Sequence, residues 1–540
     1  MIIVDPITLG DTSFSRPSVK NVYNGNGTLV EVPANTLGVT YDPADLSKAP
    51  WALLESAATN YLRNNTMAGA VAGAPGTKPS SWGFLDGVDA TVLGISATVV
   101  DLPLESGVSC IDLRYQGIAN TSGSLYVRFE FNETVAAVAG QNWVSSFFYR
   151  MRPSSGLPAS IRSFVTERSG SSHIQQTNGD AIPVSGLPLA RYSQSIQISN
   201  SATAFIHAGV AIAVVAGQSY DFTLRIGLPQ LERDRLTSPI KTSGSTVSRA
   251  ADIVGTVAGL LYSNVPIAEP DYSAGATYAK DALVHDPVTH NVFKSLIDAN
   301  KGKALTDPAA WNPRGATNRW AMLDQYNNTQ TIYPEEIIIV LTPQAISEGL
   351  YIGNCDADEI ELSVVDQSEG LVASEVTSLV TASGTSSYFD WCFRPADRSD
   401  YFVTTSLPPY ANALVLIAIR KPGGVPKCGM LAIGGVDDFG PSLYGLSAEG
   451  KDYSSTTFNF DGTTNTELRP YAKKMSVDVQ VDNGEIDYIQ RKLFQIRQRP
   501  IVWIGGPYGA TAVFGRYGSF KIVIPGLKKS DMALQIEGSV

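Results

Sequence analysis

The stretch Tyr220-Asp221-Phe222-Thr223-Leu224-Arg225-Ile226 alternates apolar and polar residues at every step. Successive side chains on a strand point to opposite faces, so a period of two places one face in a core and the other in water. Tyr126-Val127-Arg128-Phe129-Glu130-Phe131 alternates too, and the β-rich run from Val144 to Arg152 carries Phe147, Phe148 and Tyr149. Two sheets of such strands packed face to face make a β-sandwich or jelly roll. The expected fold class is mainly β.

Outward from these strands, Arg16 to Pro43 alternates short extended pieces with turns, as in Asn24-Gly25-Asn26-Gly27 before Thr28-Leu29-Val30-Glu31-Val32. It reads as a lead-in strand. Trp51 to Asn65, WALLESAATNYLRNN, follows. The chain has 540 residues; at roughly 100–200 residues per domain this length predicts three or four domains. With 48 glycines, 31 prolines and no collagen-like period, many short strands joined by tight turns are expected.

A net charge of −11 without a basic stripe argues against nucleic acid as a partner, because phosphate binding needs clustered Lys and Arg. Cys110, Cys355, Cys392 and Cys428 show neither CxxC nor Cys/His spacing, so they are expected to be buried thiols rather than a zinc site or a disulfide framework. The opening MIIVDPITLGDTSF lacks a basic segment before an apolar core, and no long apolar run follows it. The expectation is a chain that neither carries a signal peptide nor spans a membrane.

Two ordered stretches carry a resemblance. RPSVKNVYNGNGTLVEVPANTLGVTYDP followed by LLESAATNYLRNN opens the first half, and LPQLERDRLTSPIKTSGSTVSRAADIV, Leu228 to Val254, closes it with Glu, Thr-Ser, Ile-x-Thr, Arg and Asp in that order. Together they resemble the two ends of a structural domain common in tail and appendage proteins of tailed bacteriophages, and they bracket residues 1–262 as an N-terminal jelly-roll-like sandwich. His173 and His207, within it, have no carboxylate or nucleophile near them in sequence and read as structural.

The next segment, PDYSAGATYAKDALVHDPVTHNVFKSLIDANKGKALTDPAAWNPRGATNRW, spans Pro270 to Trp320. Gly275, Asp286-Pro287, Gly302 and Asp307-Pro308 cut it into short strands. A module this small has little apolar surface to hide, and with no cysteine it must build its core from aromatic rings. Its only histidines are His285 and His290. Tyr272-x-x-Gly275-x-x-Tyr278, then Val284, Val292-Phe293 and Asp307-Pro308-x-x-Trp311, resembles the small chitin-binding-type carbohydrate modules found beside bacterial glycosidases and in phage tail proteins. That resemblance implies glycan stacking on aromatic faces, with Tyr278 and Trp311 matching the aromatic positions best and Phe293 and Tyr272 completing the candidate set. By themselves Tyr272, Tyr278 and Phe293 fit a core role better than a binding one, since burial is the commonest use of such rings.

Beyond Trp320, Ile337 to Leu341, Glu361 to Val365 and Leu414 to Ile419 read as strands of a second sandwich, 326–430. Asn318 to Asp324 resembles a join seen in the same phage proteins. In a C-terminal α+β domain, 431–540, Ile486, Ile489, Leu493 and Ile496 repeat at three and four, predicting a helix with Asp482 and Glu485 as a capping box and Pro500 as its stop. The module at 263–325 lies between the two sandwiches.

Of the acid groups Asp437-Asp438, Glu335-Glu336 and Asp356-x-Asp358-Glu359, the two adjacent pairs face opposite ways on a strand and cannot share a substrate there unless they sit on a turn. Asp356 and Asp358 face the same way on a strand, a placement that suits Ca²⁺, but no glycine-bearing calcium-loop pattern follows them. Gly445-Leu446-Ser447-Ala448-Glu449-Gly450 misses the nucleophile elbow by one place, and no P-loop, dinucleotide fingerprint or HExxH occurs. The expected protein is therefore not an enzyme and uses no cofactor or metal. The phage resemblance implies a virion component of the tail fibre, tip or baseplate, assembled in the host cytoplasm. It further implies attachment to a host envelope glycan, other tail proteins as partners, and a homotrimer. A purely architectural baseplate or adaptor protein and a polysaccharide-degrading tailspike are the alternatives.

Overall fold

The computed structural model describes residues 1–85, 93–131, 135–184, 188–381, 388–393, 397–458, 460–469 and 471–539. The protein is mainly β, built from several sandwich and sheet modules, with a helix near the C-terminus. The chain divides into two compact units, Phe14–Leu46 with Leu53–Ile253, and Met1–Ser13 with Ser47–Ala52 and Val254–Val540.

The unit containing residues 53–253 is the sandwich. One sheet runs in the order Ile95–Asp101, Val108–Ile118, Ser219–Arg233, Asn142–Ser155, Ala190–Gln197. The other runs Ser172–Ile182, Ser160–Ser169, Phe205–Val214, Gly123–Arg128, Gly83–Leu85. The alternation at 220–226 resolves as expected, with Tyr220, Phe222, Leu224 and Ile226 buried in one cluster with Val127, Phe129, Ile161 and Val210 of the facing sheet. His207 is buried and His173 exposed.

The ends of this unit are closed by a polar network made from the two bracketing stretches. Arg16 donates to Asp252 at 3.0 Å and to the carbonyls of Ser18 and Pro33 at 2.8 Å each. Lys20 meets Asp252 at 2.5 Å and Glu55 at 3.1 Å. Arg249 meets Glu55 at 3.0 Å, and Ser238 donates to Glu55 through both its N–H and its hydroxyl. Thr237 caps Glu232, while Thr242 and Asn65 exchange backbone-to-side-chain bonds at 2.7 and 3.0 Å. Of the ordered residues of the closing stretch, Ser238, Ile240, Thr242, Arg249 and Asp252 fasten it to the opening one, while Glu232 and Thr237 hold each other within it. Arg16, Lys20 and Asp252 have no exposed side-chain surface, and burial pulls the Lys20 ammonium below its ordinary range. Charges so deep are tolerable only when paired and hydrogen-bonded.

The second unit holds two large sheets and the small module. Six strands pair in the order Gly10–Asp11, Gly259–Ser263, Glu336–Thr342, Leu414–Arg420, Glu359–Asp366, Gly370–Ser378. The larger sheet runs Tyr401–Thr404, Gly349–Asp356, Lys427–Asp438, Ile2–Pro6, Ile501–Ile504, Ala512–Val523, Lys529–Gly538, Tyr471–Asp482, Ser447–Asp452. It curls strongly. Asp400, just ahead of the first strand, lies 3.6 Å from Lys473 on the eighth, although six strands separate them in the sheet order. Val4, Tyr351, Met430, Ala432, Val502, Ala512 and Phe514 pack together on one face of this sheet. Their strand neighbours point the opposite way. Leu350, Ile352, Leu431 and Ile433 pack against Ile337, Ile339, Ile417 and Ile419 of the six-stranded sheet. Val477, Val479, Met532 and Leu534 pack against the helix.

The ranges 326–430 and 431–540, expected as separate domains, share this curled sheet. Ile2–Pro6, from the range 1–262, lies within it, with Val4 opposite both Val436 and Val502. A strand from the start of the chain fills a gap between strands from its second half, a pairing with no local signal.

The helix spans Ile486–Gln495 and buries Ile489 and Leu493, with Ile496 buried just beyond it. Asp482 accepts from the N–H of Gly484 at 3.1 Å and so caps a 3-10 turn, Asn483–Glu485, that precedes the helix. No side chain caps the helix proper at Glu485, and it ends ahead of Pro500. Cys110, Cys355 and Cys428 are buried free thiols, with burial pushing the first two up to about 12. The side chain of Cys392 lies outside the described residues. Among the described residues no helix is long and apolar enough to cross a membrane.

Candidate functional site

Within the small module Leu283–His285, Asn291–Ser295 and Trp311–Ala316 form a three-stranded antiparallel sheet, and Thr277–Tyr278 pairs with Asn300–Lys301. Val284, Ala310 and Trp311 are its buried centre, with Trp311 only 1% exposed. Tyr272, Tyr278 and Phe293 pack half-buried around them. A module of this size, with no cross-link, uses its largest ring as core because no other residue removes as much apolar area from water. Trp311 therefore offers no free face to a sugar, and its indole N–H is bound to the carbonyl of Lys303 at 3.1 Å. The expected platform of Tyr278 and Trp311 is corrected in that respect.

What the module does present is a tyrosine pair. The rings of Tyr272 and Tyr278 stack with centroids 6.0 Å apart and planes 24° from parallel, and each meets Trp311 edge-on at 5.7 and 5.4 Å. The Tyr272 hydroxyl donates to the Lys303 carbonyl at 2.7 Å. That of Tyr278 accepts from the N–H of Ser273 at 2.7 Å and donates to its carbonyl at 3.2 Å. Both rings are thus held in fixed orientation by their own hydroxyls and by the tryptophan beneath. Phe293 sits on the central strand, opposite Val284.

The module's histidines are engaged with carboxylates that sequence reading did not associate with them. His290 stacks on Trp320 at 3.8 Å and lies 3.3 Å from Asp11. Burial holds its imidazole below the ordinary range against the pull of Asp11. His285 lies 3.5 Å from Asp271 and 2.9 Å from the carbonyl of Glu269. Among the described residues no group of three or more His, Cys, Asp or Glu is placed to hold a metal.

The acid pairs are distributed among separate cations. Asp437 is bound by Lys492 at 2.9 Å, Asp356 by Lys421 at 2.5 Å and Asp358 by Arg398 at 2.6 Å. Glu335 accepts from the N–H of Gly423 at 2.8 Å. Arg420 gathers Glu336 at 3.1 Å, Glu359 at 3.9 Å and Glu361. Burial, reinforced by Glu359 and Glu336 against the pull of Arg420, pushes the Glu361 carboxyl up to about 7. In sequence this residue is no more than an acid in an apolar strand.

No family model and no curated protein matches the chain. Among solved structures it overlaps an arabinose-bound α-L-arabinofuranosidase at 13% identity and TM-score 0.25, over 33% of this chain and 27% of that one. It overlaps the CBM22-1–GH10 modules of endo-1,4-β-D-xylanase 10B from Clostridium thermocellum, complexed with xylohexaose, at 15% identity and TM-score 0.22, over 35% of this chain and 30% of that one. The N-terminal CBM22-1–CBM22-2 tandem domain of Paenibacillus barcinonensis Xyn10C is matched at 8% identity and TM-score 0.21, over 70% of this chain and 99% of that one. The chain thus spans less than a third of the first two structures. Matches that include named glycan-degrading enzymes overturn the flat expectation that the chain is not an enzyme. Overlaps this loose carry no catalytic residue across and assign no reaction.

Proposed function

We propose that the protein binds carbohydrate, and that it does so as a component of a phage tail that attaches the particle to a glycan of the bacterial envelope. The observation that carries the binding reading is the Tyr272–Tyr278 pair, two half-exposed rings locked over a buried tryptophan. The C–H face of a pyranose is apolar, and a ring that loses no rotamer freedom on contact binds it at low entropic cost. The resemblance of the stretches at 16–65 and 228–254 to phage appendage proteins supports the setting, with other tail proteins and further copies of the chain as partners. In a homotrimer a weak site gains through avidity.

The test is binding of the purified protein to immobilised chitin and to bacterial envelope polysaccharide, alongside the double variant Tyr272→Ala/Tyr278→Ala, with reducing ends assayed in the same tubes. The double variant, shown to be folded by circular dichroism, should bind about ten- to a hundredfold more weakly, the equivalent of roughly 1–3 kcal/mol from two aromatic contacts. Undiminished binding by the variant would remove the tyrosine platform, and no binding by the wild type would favour the architectural baseplate reading. Release of reducing ends would make the protein a polysaccharide-degrading tailspike.

A further inference from the structure

The curl of the large sheet leaves a recess that none of the foregoing uses. It has a volume of about 110 Å³, room for several ordered waters, and its lining includes Tyr351, Phe514, Tyr471, Asn354, Asp400 and Lys473. Mouths of curled and closed sheets are recurrent ligand sites when a few polar groups converge over an apolar floor. Phe514 and Tyr351 belong to the buried cluster on this face of the sheet and form such a floor. Tyr471 stands at the rim, 60% exposed.

We infer that this recess is a binding site for a neutral polyhydroxylated ligand of the size of one terminal monosaccharide, held between the Asp400–Lys473 pair and the ring of Tyr471. Asp400 and Lys473 are 3.6 Å apart, too far for a direct hydrogen bond, and neither side chain makes any other polar contact among the described residues. The pair therefore presents an acceptor and a donor side by side. Adjacent hydroxyls on a sugar ring, each both donor and acceptor, complement that arrangement, whereas an anion or a cation would have to break the pair. The hydroxyls of Tyr471 and Tyr351 likewise have no partner among the described residues, and burial raises the Tyr351 phenol above its ordinary range, so it stays protonated. Asn354 spends one amide N–H on the carbonyl of Asn327 and is fixed by it in a left-handed conformation, φ 50°. The shape limits the ligand to one ring or the end of a chain.

The site shares no residue with the tyrosine pair, so either can fail alone. The full chain is titrated with D-galactose, N-acetyl-D-glucosamine, L-rhamnose and D-glucuronate, each followed by saturation-transfer NMR and calorimetry. At least one neutral sugar should bind in the millimolar range. Asp400→Asn and Tyr471→Ala should each weaken that binding about tenfold, a loss of one to two contacts, while Tyr272→Ala/Tyr278→Ala leaves it unchanged. Melting temperatures equal to wild type confirm that both exposed-site variants are folded, with Lys473→Met as a third variant. The inference is overturned if no neutral sugar binds, if only glucuronate does, or if binding survives the recess variants.

Discussion

The closing network of the sandwich and the recess of the curled sheet contain the same kinds of residue, acids, bases, amides and hydroxyls, and they differ in where the hydrogen bonds go. In the network Asp252 is bound by Arg16, by Lys20 and by the N–H of Glu55, and Glu55 by Lys20, Arg249 and Ser238. In the recess Asp400 faces Lys473 across a gap that no hydrogen bond closes. A buried polar group without a partner costs free energy, so a cluster that satisfies itself is a fastening and a partly open cluster that does not is suited to a ligand. Polar composition alone would not have separated the two.

The comparison is broken most directly at Asp252. Replacing it with Ala leaves Arg16 and Lys20 buried without their shared counter-ion, and removal of one partner of such a set typically costs about 3–5 kcal/mol. Urea unfolding of Asp252→Ala should show that loss in the transition of the sandwich. A loss below about 1 kcal/mol would mean that water reaches the network and that it is not the fastening described.

Trp311→Ala acts on the same scale but in a smaller volume. Truncating a buried tryptophan costs about 3–5 kcal/mol, more than a module with so short a core can absorb. Amide exchange should show protection lost over Leu283–His285 and Asn291–Ser295, with the sandwich unaffected. Tyr272→Ala, at a half-exposed position, should leave that protection in place. If both variants unfold the module equally, Tyr272 is core as well and the platform loses one of its rings.

These contrasts also mark what the sequence could and could not convey. The alternation at Tyr220–Ile226 and the helix repeat from Ile486 to Ile496 are local and periodic, and both elements form where their periods place them. The order of residues at 228–254 was legible as a pattern, yet its meaning was not, because Asp252 meets Arg16 236 positions away. The insertion of Ile2–Pro6 into a sheet of the second half has no local signature at all. Trp311 was ambiguous in sequence because a core ring and a sugar platform use the same side chain, and only burial decides between them. Asp400, Lys473 and Tyr471 carry no motif. The curl of the sheet makes them neighbours, and curl is a property of the whole sheet rather than of any strand.

Glu361 offers a smaller and pH-dependent contrast with Asp252, since both are buried acids held by arginine. Its carboxyl is raised from 4.5 to about 7 by burial, so the folded state binds its proton more tightly than the unfolded chain. The stability it contributes is complete below about pH 4.5 and is lost as pH rises through about 7. Allowing for solvent screening, the change amounts to about 1–2 kcal/mol. Glu361→Gln, which cannot titrate, should be the more stable protein at pH 8 and should flatten that part of the stability profile. An unchanged profile would show that Arg420 keeps Glu361 ionised throughout.

The smallest expected effect separates fastening from site most sharply. Asp400 and Tyr471 are largely exposed and make no side-chain hydrogen bond within the described residues, Asp400 having only its loose 3.6 Å pairing with Lys473, so Asp400→Asn and Tyr471→Ala should change stability by no more than about 0.5 kcal/mol. Asp252→Asn is the matched control, because it also converts one carboxylate to an amide beside a lysine. If Asp400→Asn destabilised the protein as Asp252→Asn does, the recess would be a second fastening whose bonds close in solution, and its open donor and acceptor would have nothing left to offer a ligand. Equal stability with weakened sugar binding is the opposite result, and only a group kept free by the fold for something outside it gives that combination.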